Sequence, residues 1–157
     1  MKIFFTKKEY RLLLDMISLS DWMMHSNIIA SDKVNPDHVL LYQKLLSYSK
    51  EMQADDIVEF EEQSGEYYNT HKYDEALHEK YIDPYDEYVF WEELMTELGD
   101  RDFLKKFGQD RIKSMSQRER FILSERVRDK YIDEFNEYGI ENIIINNKEF
   151  TLEDIDE

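Results

Sequence analysis

The chain of 157 residues has the length of one ordinary domain, and its 36 acidic residues against 20 basic ones give it a net charge of -16. The absence of cysteine excludes disulfides, thiolate catalysis and cysteine-containing zinc sites. The apolar runs are too short for a signal peptide or a bilayer-spanning helix. We therefore expect a single helical domain over residues 1–157, with a cytoplasmic address and no membrane partner.

Two helices are predicted in the first third of the chain. Thr6 and Glu9 have the spacing of a capping box, and the stretch 7–26 is apolar on nearly all sides, which predicts a central, buried helix. Asn35 has the character of an N-cap, and the proline that follows it favours the first helical turn. The second helix is therefore expected over 36–53.

The middle of the chain has a less regular pattern. Residues 57–60 are compatible with a short helix that ends before a break at Gly65. Thr70 can cap a helix that continues to Ile82. A further helix is expected over 84–98, because its apolar residues recur at helical spacing and a glycine follows them as a stop signal.

The last third adds a short helix at 100–108 and an amphipathic helix at 117–138, which Ser116 and its capping-box partner begin. Residues 142–150 have the composition of a strand, a turn and a second strand, and Lys2–Phe5 can form a third. The sequence thus predicts a mainly α fold: a compact bundle of about five to six helices with a small antiparallel β element formed by the chain termini.

The motifs of common enzymes are missing from the chain. Its four glycines are far apart, which argues against a nucleotide-binding loop, and no Gly-x-Ser-x-Gly elbow is present. No spaced Asp and Asn pattern of a calcium loop occurs either. The absence of these motifs argues against an enzymatic function, and no catalytic or cofactor-binding residue is assigned.

One helical stripe has the composition of a metal site. His71, Glu75 and His78 lie at i, i+4 and i+7, which places an imidazole, a carboxylate and a second imidazole on one face. A divalent transition metal is therefore the one cofactor that the sequence leaves open. The competing interpretation is a solvated polar face, and Asp21 with His25 is interpreted in the same way as a surface pair.

Negative charge is concentrated in the middle third of the chain. Residues 51–100 contain 17 acids, two basic residues and nine aromatics, whereas residues 101–130 contain ten basic residues and five acids. A segment of this kind repels nucleic acid and attracts cationic partners. The alternative is that the two segments neutralise each other within the fold or across a homodimer.

Two hypotheses about function follow. The first is a small acidic protein–protein interaction protein that binds a basic partner, in an inhibitor, immunity-type or nucleic-acid-mimic role. The second is a small metal-dependent enzyme or metal-binding helical module that uses the His/Glu stripe. The residues assigned to partner binding under the first hypothesis are Asp55, Asp56, Glu59, Glu61, Glu62, Glu66, Tyr67, Tyr68, Asp86 and Glu87.

Overall fold

A computed structural model describes residues 2–28 and 34–145 of the chain. Its elements, in order, are α1 (Lys7–His25), α2 (Pro36–Leu46), β1 (Val58–Glu61), β2 (Glu66–Asn69), α3 (His71–Leu77), a π-helical turn (His78–Ile82), α4 (Asp83–Phe107), α5 (Gln109–Ser114) and α6 (Gln117–Tyr138). The two strands form one antiparallel sheet. The predicted mainly α class with a small antiparallel β element is confirmed.

The chain divides into two compact units, Met1–Glu87 and Tyr88–Glu157, with the boundary inside α4. The first unit contains α1, α2, the β-hairpin and α3. The second contains most of α4 together with α5 and α6. The expectation of one domain over the whole chain stays a prediction.

The core of the first unit joins one face of α1 to the elements that follow it. Leu14 and Leu46 are fully buried, and Tyr10 donates a hydrogen bond of 2.7 Å to the backbone oxygen of Leu45. Leu12 and Met16, on the other side of α1, are 53% and 67% exposed. The prediction that α1 is buried all round is therefore wrong, because only one stripe of the helix meets the core.

The predicted starts of α1 and α2 are confirmed at the level of hydrogen bonds. The Glu9 carboxylate accepts from the backbone N–H of Thr6 at 2.8 Å, and the Thr6 hydroxyl accepts from the N–H of Glu9 at 3.3 Å. The Asn35 side chain caps the first turn of α2. α2 ends at Leu46 rather than at residue 53, because the chain then turns to place Ala54 in the core.

The β element that the structure describes lies in the middle of the chain. Residues 57–60, predicted as a short helix, enter β1, and the predicted break at Gly65 is the hairpin turn, where φ is +72°. Residues 2–5 and 142–145 contain no strand, and residues 146–150 of the predicted terminal hairpin lie outside the described residues. The burial of Val58 explains the difference, since it anchors β1 to the core.

The helical backbone continues from α3 into α4 although Pro84 has no backbone N–H to donate to the helix. At the π-helical turn the N–H of Asp83 bonds to the oxygen of His78, five residues earlier. A wider turn of this kind accommodates a proline, which has no N–H to donate and crowds the preceding turn. The predicted boundary at 82–84 is thus a change of helical pitch rather than a break.

In the second unit α4 and α6 pack closely at Gly99. A Cβ atom at this glycine would be 3.9 Å from the Cα of Arg128. α4 continues through Gly99 to Phe107, so the predicted stop at Gly99 is wrong, whereas Gly108, at a φ of +71°, does end the helix. The predicted start of α6 is confirmed, because the Ser116 hydroxyl accepts from the N–H of Glu119.

Candidate functional site

The hairpin formed by β1 and β2 carries the densest group of residues assigned to partner binding. Its register pairs Val58 with Asn69, Glu59 with Tyr68, Phe60 with Tyr67, and Glu61 with Glu66. Val58 is buried, while every following residue up to Glu66 is exposed. The hairpin is therefore held by the core at its base, while the rest of β1 and the turn are exposed to solvent.

A glutamine of α2 holds the hairpin by its second strand. The Gln43 amide donates to the backbone oxygen of Tyr67 and accepts from its N–H, both at 2.8 Å. These two bonds replace the ones that a neighbouring strand would make. Because the backbone groups of Tyr67 point to Gln43, the paired Phe60 directs its own N–H and C=O away from β2.

The carboxylates of the hairpin are exposed, and their polar contacts are neutral. Ser64 donates to Glu61 and Tyr68 donates to Glu66, each at 2.9 Å. Within the described part of the first unit no Lys, Arg or His forms an ion pair with Glu59, Glu61, Glu62 or Glu66. Glu61 and Glu66 lie directly opposite each other, an arrangement of like charges that destabilises a two-stranded pair.

Aromatic side chains accompany these carboxylates. Phe60 is 51% exposed and packs against the half-buried Tyr67, with 4.8 Å between the ring centroids. Tyr68 is 41% exposed on the neighbouring register position. The hairpin thus combines negative charge with exposed aromatic residues, a residue type enriched in protein interfaces.

The remaining residues assigned to partner binding are divided between the fold and other surfaces. Asp56 forms an ion pair with Arg11, and the guanidinium lowers the pKa of this carboxyl group. Asp55 is exposed next to it. Asp86 and Glu87 are exposed on α4, an element separate from the hairpin. Asp56 therefore has a partner within the chain.

A network of hydrogen bonds connects the base of the hairpin to α1. The Ser18 hydroxyl contacts the hydroxyl of Tyr42 at 3.1 Å, and the amide of Asn69 donates to Ser18 at 3.0 Å and to Asp74 at 2.8 Å. Burial raises the pKa of Tyr42. The network fixes the position at which β2 ends and α3 begins.

Tyr73 makes a second polar contact between α3 and α1. Its hydroxyl donates to the Asp15 carboxylate at 2.6 Å. Burial, and then the bond to Asp15, raise the pKa of Tyr73 well above its ordinary range. The tyrosine therefore stays neutral and remains a donor at any physiological pH.

A pocket of about 520 Å³ lies beside this network, lined by residues of α1, α2, the hairpin, α3 and the π-helical turn. Asp21 and His25 line it, and of the predicted metal stripe only His78 does. His25 is 2.9 Å from Asp21, and Trp22, between them on α1, meets the ring of His78 edge-on at 6.1 Å. The pocket is lined by apolar side chains as well, among them Leu77 and Ile82.

The residues of the proposed metal stripe are not brought to one point. His71 is 88% exposed and lies 3.4 Å from Glu75, whereas the nearest carboxylate to His78 is Asp83, at 3.8 Å. The π-helical turn begins at His78, so the regular spacing that the prediction assumed ends there. Among residues 2–28 and 34–145, no three His, Asp or Glu side chains are grouped as metal ligands.

Comparison with protein-family models, with curated proteins and with solved structures finds no match to this chain. In the described residues, no helix combines the length and the apolar character needed to cross a membrane.

Two residues of the hairpin site were not assigned from the sequence. Gln43 is one of several polar residues of α2, and Phe60 is one of many aromatics, so neither residue stood out before the hairpin register was known.

Proposed function

We propose that this chain is a small acidic protein–protein interaction protein and that it binds a basic protein partner through the hairpin of β1 and β2. The observation that supports the proposal best is the set of four exposed glutamates that pair with none of the described cations of their own unit. Other acids of the chain do have such partners, as Asp56 has Arg11. The hairpin is one place where several carboxylates that form no ion pair with a described residue lie close together.

The energetics of the hairpin favour a cationic partner. The opposed pair Glu61 and Glu66 is unfavourable in the free protein. A Lys or Arg placed between them would convert this repulsion into two attractions. The same charges would accelerate association with a basic protein and oppose contact with nucleic acid.

The aromatic residues give the surface more than charge. Phe60 and Tyr68 supply area that can be desolvated, and Tyr68 also presents a hydroxyl group. Rim charges mainly set the association rate, while buried aromatic anchors set the lifetime of a complex. An inhibitor, an immunity-type protein and a nucleic-acid mimic would all use this combination against a basic target.

Matched variants test the proposal. E59Q/E61Q/E62Q removes three charges from the hairpin, and E93Q/E97Q/D100N removes three from exposed positions of α4 in the second unit. Each form is used as bait in lysate of the source organism at low and moderate salt, and retained proteins are identified by mass spectrometry. We expect the wild type and the α4 variant to retain a cationic protein that the hairpin variant does not retain. Its binding should be weaker at the higher salt concentration.

The proposal fails if no cationic protein distinguishes the hairpin variant from the α4 variant at either salt concentration. A direct titration of the retained protein with all three baits then gives the change in affinity. If only the hairpin variant loses affinity for the retained protein, the contact is assigned to the hairpin of β1 and β2.

Self-association is the competing use of the same charges. The acidic segment 51–100 of one copy would contact the basic segment 101–130 of another. Within one chain the two segments already form an ion pair, between Glu92 and Arg128 at 2.5 Å. Sedimentation at low and high salt separates the cases. A dimer that dissociates with salt, and that the hairpin variant does not form, would assign the hairpin to a homodimer.

A further inference from the structure

The second unit contains a groove of about 750 Å³ between α4, α6 and the turn that follows α6. Its apolar surface comes from both helices and from the turn, with Leu98, Leu123, Val127 and Ile143 among its lining residues. A volume of this size lies within the range of small-molecule sites. No part of the proposed partner-binding hairpin contributes to it.

The charge of this groove is opposite to that of the protein. In a chain of net charge -16, the groove is lined by two acids and by four basic residues, which are Arg101, Lys106, Arg126 and Lys130. Both acids already have partners. Asp102 pairs with Arg101 and accepts from the Tyr131 hydroxyl, and Glu134 accepts from the Asn142 amide at 2.6 Å.

Three of the four cations are available to a ligand. Within the described residues, Lys106, Arg126 and Lys130 make no ion pair with a carboxylate. Arg126 and Lys130 are four residues apart on α6, so they lie on one face and can both reach the same anionic group. Lys106 approaches the groove from α4, on the other wall.

We propose that this groove is a binding site for a small anionic amphiphile, an apolar chain that ends in a carboxylate or a phosphate. The anionic group would be held by Arg126 and Lys130, and the apolar chain would lie against Leu98, Leu123 and Val127. Arginine and lysine recognise both head groups through charge-assisted hydrogen bonds. The apolar walls distinguish such a ligand from a free inorganic anion, since burial of its chain adds to the affinity.

Calorimetric titration of the full chain with four probes below their aggregation concentrations tests the site. Dodecanoate and dodecyl phosphate carry the two anionic groups, dodecanol carries none, and dodecyltrimethylammonium carries the opposite charge. We expect one molecule of either anion to bind per chain, and the preferred anion identifies the head group. Loss of two charge-assisted hydrogen bonds in R126Q/K130Q should weaken binding by about tenfold to a hundredfold.

A matched variant controls for the loss of charge. R118Q/R120Q removes two cations from the start of α6 without touching the groove, and it should bind dodecanoate as the wild type does. All substituted positions are exposed, so each variant should keep the wild-type circular dichroism spectrum. The proposal is overturned if no anion binds, if dodecanol binds equally well, or if both double variants lose the same affinity.

The chain itself supplies one competing occupant. Residues 146–157 contain five acids, one lysine and three large apolar residues, and they follow directly on Ile145. If the full chain binds dodecanoate only when Phe150 and Leu152 are replaced by serine, the groove is assigned to this segment and the proposal is overturned. Equal binding with and without these two substitutions supports the proposed ligand.

Discussion

Two tyrosines donate to carboxylates in this protein, and their surroundings decide what each bond contributes. Tyr73 is 9% exposed and bonds to Asp15, whereas Tyr68 is 41% exposed and bonds to Glu66. Water can replace the lost donor at Glu66 but reaches the half-buried Asp15 less easily. The free energy of a hydrogen bond to a charged group is realised only where water is excluded.

We therefore expect Tyr73→Phe to lower the free energy of unfolding by about 1.5–3 kcal/mol and Tyr68→Phe to change it by less than about 0.5 kcal/mol. Urea unfolding of the two variants and the wild type measures both values. Equal effects would show that Asp15 is as well solvated as Glu66, which would contradict the packing of α3 against α1.

Tyr10 gives the stability a dependence on alkaline pH. Its side chain is 3% exposed, and burial raises the pKa of Tyr10 to about 12. A tyrosine in the unfolded chain ionises near its ordinary pKa of about 10. The preference of the fold for the neutral hydroxyl is therefore present in full below pH 10, and it is lost as the pH rises towards 12.

We expect the free energy of unfolding to fall between about pH 10 and pH 12 and to fall less steeply in Tyr10→Phe. At neutral pH the variant should be less stable by about 1 kcal/mol, because the backbone oxygen of Leu45 loses its donor. Urea unfolding at a series of pH values measures both effects. An unchanged alkaline slope in the variant would show that other groups cause it.

At the scale of the element, a glycine inside α4 and the glycine that follows its last residue have opposite roles. Gly99 lies inside the helix, where a Cβ atom would meet Arg128 at an ordinary van der Waals distance of 3.9 Å. Gly108 ends the helix with a φ of +71°, a conformation that strains any residue with a side chain.

The same substitution should therefore change stability in opposite directions. We expect Gly99→Ala to raise the free energy of unfolding by up to about 1 kcal/mol, because alanine favours the helix, and Gly108→Ala to lower it by about 1–2 kcal/mol. Thermal and urea unfolding give the signs. Destabilisation by Gly99→Ala would mean that α4 and α6 approach more closely than the structure shows.

The elements that could be predicted from the sequence are those whose ends depend on local chemistry. Thr6 with Glu9, Asn35 and Ser116 each satisfy the first N–H groups of a helix, so their residue types were sufficient. The effects of Gly99 and Pro84 on the helices could not be predicted in this way. Gly99 lies where α4 approaches α6, and Pro84 is accommodated by the π-helical turn before it. The hairpin was missed because its four-residue strands are too short for a period-two pattern to be distinct.

At the scale of the whole molecule, the sequence predicted which acids are concentrated together but not which of them are neutralised. Asp56 and Glu59 are equivalent in composition, yet only Asp56 lies within reach of an arginine. That difference depends on pairings between residues far apart in the chain. The basic groove of the second unit was missed for the same reason, since the cations of α6 enclose a site only together with α4.

The hairpin glutamates, which form no ion pair within the described residues, should make the protein sensitive to salt. Repulsion among exposed charges extends over about 30 Å at 0.01 M ionic strength and about 8 Å at 0.15 M. We expect the wild type to gain stability as salt is added. E59Q/E61Q/E62Q should be more stable than the wild type by about 0.2–1 kcal/mol at the lower ionic strength, chiefly through the opposed pair Glu61 and Glu66, and it should gain less from salt.

Asp56→Asn is the control, because it removes one charge that has a partner in the fold. The loss of the ion pair with Arg11 should lower stability at low salt, with the loss shrinking as salt is added. Urea unfolding at both ionic strengths compares the variants. If the triple variant is instead less stable than the wild type, the hairpin glutamates contribute to folding, and they no longer favour an external partner.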